Sequence, residues 1–194
     1  MRIGVLALQG DFAAHVAALR LRAAETVEVR GVADLDGVTA LVLPGGESST
    51  MLKLMNGNGL FERLGELLRS GMPALATCAG VILLAREVRN PPQRSLGVLD
   101  VAVERNAYGR QIDSTVAPVT VVAGAGLGST MLEGVFIRAP RVVAVGPGVE
   151  VLATRGADPV LLRHRRILAA TFHPELSGGS PVVDLFLRSA GGAA

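Results

Sequence analysis

Through the first half of the chain, short apolar runs rich in β-branched residues alternate with stretches whose apolar positions recur every three or four residues. Ile3 to Leu8, Val27 to Val29 and Ala40 to Leu43 read as strands, and Asp11 to about Arg22 and Gly59 to Arg69 as helices. Alternation of this kind predicts an α/β fold, with a mostly parallel central sheet and helices on both faces. Beyond Asn90, strands dominate: Val98 to Val103, Val116 to Val122, Val135 to Ile137, Val142 to Val145, Val149 to Ala153 and Val160 to Arg163. These are expected to form an additional antiparallel edge. A last strand, Ile167 to Thr171, and a helix from about Pro181 to Ser189 return to the parallel pattern, and Gly191 to Ala194 should fray. With no internal repeat and no linker, residues 1–194 read as one domain.

Composition narrows the class. A chain of 194 residues with 49% hydrophobic content fills a single core, and a net charge of +2 gives no dense basic patch for nucleic acid. The one cysteine makes neither an internal disulfide nor a multi-thiolate metal site, which favours a reducing compartment, the cytoplasm. The apolar start is cut short by Gln9, Gly10 and Asp11, so it reads as a strand rather than a secretory signal. The run from Met72 to Ala85 is interrupted by Thr77, Cys78 and Gly80 and falls short of a membrane span.

Ligands of open α/β sheets bind beyond the carboxyl ends of the strands. Three segments fit that position: Pro44-Gly45-Gly46-Glu47-Ser48-Ser49-Thr50, Thr77-Cys78-Ala79-Gly80 and Phe172-His173-Pro174-Glu175. Cys78 falls between a strand and a helix-like stretch, Val81 to Ala85, so its thiol is expected on a sharp turn near the positive end of a helix dipole. His173 supplies a base. Glu175, two residues further on, projects to the same side of an extended backbone and orients the imidazole. Gly45 and Gly46 leave backbone amides accessible for an oxyanion, to be paired with the amide of Ala79, and Glu47 is available for a substrate ammonium. The arrangement suggests acyl transfer.

No cofactor or metal is indicated. Val122-Ala123-Gly124-Ala125-Gly126-Leu127-Gly128 misplaces the third glycine of a dinucleotide loop, so it reads as a flexible loop, and no phosphate loop occurs. His15 and His164 lack ligand-spaced partners, and His15 reads as a helix-face residue.

Leu8-Gln9-Gly10, Pro44-Gly45-Gly46-Glu47-Ser48, Thr77-Cys78-Ala79-Gly80, Glu104-Arg105-Asn106-Ala107-Tyr108-Gly109-Arg110-Gln111, Phe136-Ile137-Arg138-Ala139-Pro140 and Phe172-His173-Pro174-Glu175 together resemble one family. It is the glutaminase subunit of pyridoxal 5-phosphate synthase, within the class I glutamine amidotransferases. The resemblance runs from the first strand to the last helix. It implies a flavodoxin-like three-layer fold and a single glutaminase domain in which Cys78 attacks the side-chain amide of L-glutamine, with His173 and Glu175 completing the triad. It further implies that Gly46, Glu47 and Ser48 bind glutamine, that Arg105 contacts it, that Ile137 and Arg138 line the site, and that ammonia passes to a barrel-shaped synthase partner in a hetero-oligomer for vitamin B6 biosynthesis.

The chain departs from the family pattern in a few places. Ala76 stands where glycine is usual ahead of the nucleophile, and a Cβ there carries a cost of about 1 kcal/mol if φ is positive. Ser49 replaces a usual threonine and Val81 a usual methionine. Two alternatives stay open on the sequence: a cysteine hydrolase or peptidase of the same fold, and a catalytically weak regulatory subunit.

Overall fold

The computed structural model describes residues 1–107 and 114–192. Four parallel strands form its centre: β1 (Arg2–Leu6), β3 (Ala40–Leu43), β4 (Ala74–Thr77) and β12 (Ile167–Ala170), with β2 (Glu25–Val29) parallel to β1 on the outside. On the far side of β12 the direction reverses. β11 (Asp158–His164), β10 (Val149–Arg155), β7 (Thr115–Val121) and β8 (Met131–Phe136) follow as antiparallel neighbours, completing the order β2-β1-β3-β4-β12-β11-β10-β7-β8.

Strand periodicity sorts the core into two layers. Ala40 and Val42 of β3, Leu75 of β4, and Leu168 and Ala170 of β12 join Val16 and Leu19 of α1 (Phe12–Arg20) and Val182, Val183 and Phe186 of α5 (Pro181–Gly191). Their neighbours Leu41 and Leu43, Ala74 and Ala76, and Ile167 and Ala169 face the other way. There they pack with α2 (Ser48–Met55), α3 (Leu60–Arg69) and α4 (Ala79–Leu84). Each fully buried Leu or Val contributes about 1.5–3 kcal/mol against exposure, so a one-residue slip of any central strand would exchange both layers at once.

Three expectations change. The strands beyond Asn90 do not all join one edge: β6 (Leu99–Glu104) and β9 (Arg141–Val145) form a separate sheet with β5 (Ala85–Arg89), an unexpected strand before Asn90, β5 lying parallel to β6 and β9 antiparallel to it. Residues 122–128 do form a loop, but not a loose one, since Ala125 and Leu127 are buried in the core beside α5. The chain end remains helical through Gly191 instead of fraying there. Tyr108, Gly109, Arg110 and Gln111 of the family string, and Ala193 and Ala194, lie outside the described residues.

Candidate active site

β1, β3, β4 and β12 are parallel, so their carboxyl ends deliver residues 7–11, 44–47, 78 and 171–175 to one rim. There Gly45, Gly46, Glu47, Ser48, Cys78, Arg105, Ile137, Arg138 and His173 line a cavity of about 320 Å³, together with Gly10, Asp11, Ile82 and Asn106. Glu175 lies behind His173, and Ala79 is the first residue of α4.

Cys78 has φ 46° and ψ −105°, backbone values that cost a non-glycine residue on the order of 1–3 kcal/mol. Its surroundings hold it there. Its N–H donates to Ala170 O at 2.9 Å, and its carbonyl accepts from Val81 N at 3.0 Å. α4 also passes so close to β3 that a Cβ on Gly80 would lie 2.1 Å from Leu43 O. The thiol is nearly buried and donates to Ile137 O at 3.7 Å. The strain foreseen at Ala76 is absent, because Ala76 lies inside β4, buried and without a positive φ.

His173 follows β12, and its N–H donates to Val135 O at 2.9 Å, fixing the backbone against β8. The link to Glu175 is not extended as expected. Pro174–Leu176 form a turn of 3-10 helix, and this turn brings Glu175 Oε1 to 2.7 Å from His173 Nδ1. A carboxylate only accepts, so Nδ1 carries the hydrogen and Nε2 is the nitrogen left for chemistry. Nε2 has no hydrogen-bond partner among the described residues. Cys78 is therefore beside His173 without a standard hydrogen bond to it, although it is near enough to influence its titration.

Burial pulls the His173 pKa down, but interaction with Cys78 and with Glu175 outweighs it and raises the value to about 10. Glu175 shows the reverse balance: burial pushes its carboxyl up, and hydrogen bonds from His15 and His173 bring it down to about 2. Gly45 fits against this pair, since a Cβ there would lie 2.3 Å from His173 Cε1.

Glu47, which also lines the cavity, caps α2. It accepts from Ser49 N at 3.3 Å, Thr50 N at 2.7 Å and Thr50 Oγ1 at 2.9 Å. Arg105 Nη2 donates to the same carboxylate at 3.1 Å and to Ser49 Oγ at 2.9 Å. Four donors occupy the roughly four lone-pair sites of Glu47, so its carboxylate is not open to a substrate ammonium in this conformation. Ser48 Oγ donates to Gln93 Oε1 at 3.0 Å. Arg138 is exposed at the rim, with a φ of 46°.

Sequence reasoning missed His15, Asp11 and the side chain of Gln9. Gln9 Oε1 accepts from Glu47 N at 2.6 Å. His15 is buried, not a simple helix-face residue, and touches Glu175. Donor atoms of Asp11, His173 and Glu175 lie within 4.8 Å of one another. A cation held there would have to compete with the His173–Glu175 hydrogen bond.

A model of the SNO glutamine amidotransferase family matches residues 5–191. The chain belongs to that family. This glutamine amidotransferase is 51% identical over 188 residues to the pyridoxal 5'-phosphate synthase subunit PdxT of Koribacter versatilis, covering 97% of this chain and 95% of that one. It is 50% identical to the protein of the same name from Thermotoga maritima, over 97% and 98% of the two chains. A crystal structure of a glutamine amidotransferase superposes with a TM-score of 0.88 at 44% identity, over 98% of this chain and 99% of the other. At 15% identity, the structure of PurLQS from Thermotoga maritima matches with a TM-score of 0.71, over 96% of this chain and 97% of the other, and supports the fold alone. The enzyme is thus a glutaminase with the class I amidotransferase fold.

Proposed function

We propose that Cys78, His173 and Glu175 hydrolyse L-glutamine through a thioester on Cys78, and that the ammonia released serves a pyridoxal 5'-phosphate synthase subunit docked on this chain. The observation that carries this reading is the meeting of a strained cysteine with a buried His173–Glu175 pair in one cavity. Cys78 Sγ attacks the amide carbon, and its proton resides on His173 Nε2. The raised pKa of His173 favours the imidazolium, which then protonates the departing nitrogen and releases ammonia. Water, deprotonated by the now neutral His173, opens the thioester to glutamate and restores the thiol. Glu175 stays ionised throughout and holds Nδ1–H.

The oxyanion is assigned to Ala79 N–H, at the start of a helix whose first amides lack intrahelical acceptors, together with amides of the Gly45–Gly46 segment. Gly46, Glu47, Ser48, Arg105, Ile137 and Arg138 line the cavity and are assigned to the amino-acid end of glutamine. Glu47 acts there through its backbone and through Arg105, because its carboxylate is occupied. A dipolar amino acid suits the rim: the Arg105 and Arg138 guanidinium groups can pair with its α-carboxylate.

The names of the relatives support the synthase partner, and residues 1–194 are read as one glutaminase domain of a cytoplasmic hetero-oligomer. Among the described residues no helix is long and apolar enough to cross a membrane. The test is glutamate release from L-glutamine by the chain alone and with a barrel-type synthase. Turnover that rises on adding the partner is the expected result. Equal rates, or hydrolysis of peptides in place of free glutamine, would overturn the reading.

A further inference from the structure

His15 is a buried ionisable side chain that the mechanism above leaves without a role. It lies on α1, is 1% exposed, and presents Nε2 to two groups at once: Thr77 Oγ1 at 3.0 Å and Glu175 Oε1 at 3.2 Å. Because a carboxylate offers no hydrogen, Nε2 must carry one, and this single N–H is shared between the hydroxyl and the carboxylate.

The geometry around Glu175 gives this contact its weight. The Glu175 side chain is fully buried, and its Oε2 has no partner among the described residues. Oε1 alone receives both imidazoles, His173 at 2.7 Å and His15 at 3.2 Å. A buried carboxylate is tolerated only when its charge is compensated. With one donor Oε1 could swing about that bond; two donors converging on it from different elements hold it in place. His15 also reaches Thr77, the residue before the nucleophile, so one ring ties the end of β4 to the carboxylate behind the base.

We infer that His15 is a positioning residue of the glutaminase site, a second imidazole that holds the Glu175 carboxylate in line with His173 and registers it against the Cys78 turn. This rests on the proposed triad. His15 touches neither substrate nor reacting atoms, so its effect travels through Glu175 and falls on turnover, not on glutamine binding.

The experiment is steady-state glutamate release by the complex with the synthase, using L-glutamine, for His15→Met, His15→Gln, Glu175→Gln and the double variant His15→Met/Glu175→Gln. Methionine fills the space without a donor, whereas the glutamine amide reaches the place of Nε2 and restores one. His15→Met should lower kcat on the order of 10- to 100-fold with little change in KM, as loss of an orienting partner does at other sites. His15→Gln should recover most of that rate. In the Glu175→Gln background, His15→Met should add little, because the two act as a unit. Should His15→Met fail to fold, His15→Asn, whose shorter amide falls short of Glu175, takes its place in the comparison. A wild-type kcat in the donor-free variant, equal loss in the donor-bearing and donor-free variants, or full additivity with Glu175→Gln would each overturn the assignment. His173→Asn is the control: if it alone kept wild-type turnover, the triad reading would fall, whereas an inactive His173→Asn beside an unimpaired His15→Met removes only His15.

Discussion

The two walls of the cavity are built differently. On the Cys78–His173 side every group is buried and held from behind: Cys78 by backbone bonds to Ala170 and Val81, His173 by Val135 and Glu175, Glu175 by two imidazoles. On the Glu47–Arg105 side the polar groups bind one another. Arg105 spans Glu47 and Ser49, and Glu47 caps its own helix. The Cys78–His173 side, proposed to make the bonds, is preorganised, which is where electrostatic catalysis gains most. The Glu47–Arg105 side, proposed to hold the substrate, would exchange internal partners for the ligand, so its residues should weigh on KM and those of the first half on kcat.

The largest effect tests the first half directly. Cys78→Ala should abolish glutamate release and leave the fold intact, since the nucleophile is lost with little change in volume. Comparable turnover in the alanine variant would end the thioester mechanism. Next comes the order of the other two members. His173→Asn should be nearly as damaging, and Glu175→Gln milder, because Glu175 orients the base without touching substrate; a reversed order would reassign the roles.

Glu175 also makes a statement about stability. Its carboxyl has a pKa lowered from an ordinary 4.5 to about 2 in the folded protein, so the stabilisation it gives is complete above pH 4.5 and disappears as pH falls towards 2. Denaturant titrations of wild type and Glu175→Gln should therefore diverge above pH 4.5 and converge below it. A stability gap constant from pH 7 to pH 3 would show that the carboxylate is not held as an anion.

The second half should respond more gently. Arg105 is 12% exposed, and the contact proposed for it with the glutamine α-carboxylate is charge-assisted, a class worth about 1.5–3 kcal/mol, so Arg105→Ala should raise KM for glutamine roughly 10- to 150-fold with a smaller change in kcat. An unchanged KM would return Arg105 to the role of a structural partner for Glu47.

The same contrast marks what the sequence could reveal. Strand alternation is local, so the central strands and the rim they share were legible, and with them the placement of Cys78 and His173 at that rim. The small sheet was not, because β5 pairs with β6 and β6 with β9, a match set by distant segments. β5 begins at Ala85, directly after α4 with no turn residue between them, so Val81 to Ala85 looked like one helix. Ser48, Ser49 and Thr50 are ordinary helix-start signals, but a full helix through Met55 was not legible from them; Glu47 supplies its cap. His15 had a faint signal: it sits four residues before Leu19 on the buried stripe of α1, where an apolar residue is the usual occupant. Only the fold brings Glu175 to it.

The smallest effect concerns Ala76, where a glycine would match the usual family pattern. If the elbow needed glycine at this position, Ala76→Gly would relieve strain and raise kcat. The structure argues otherwise, because Ala76 is extended and buried in β4 while the positive φ belongs to Cys78. Glycine inside a strand adds conformational entropy to the unfolded chain, and the missing methyl removes a buried contact from the layer shared with Leu43 and Ala169. Ala76→Gly should thus cost about 1 kcal/mol in urea unfolding and leave kcat at the wild-type value. A faster and equally stable variant would move the strain from Cys78 to the residue two places before it, and with it the account of how the nucleophile is held.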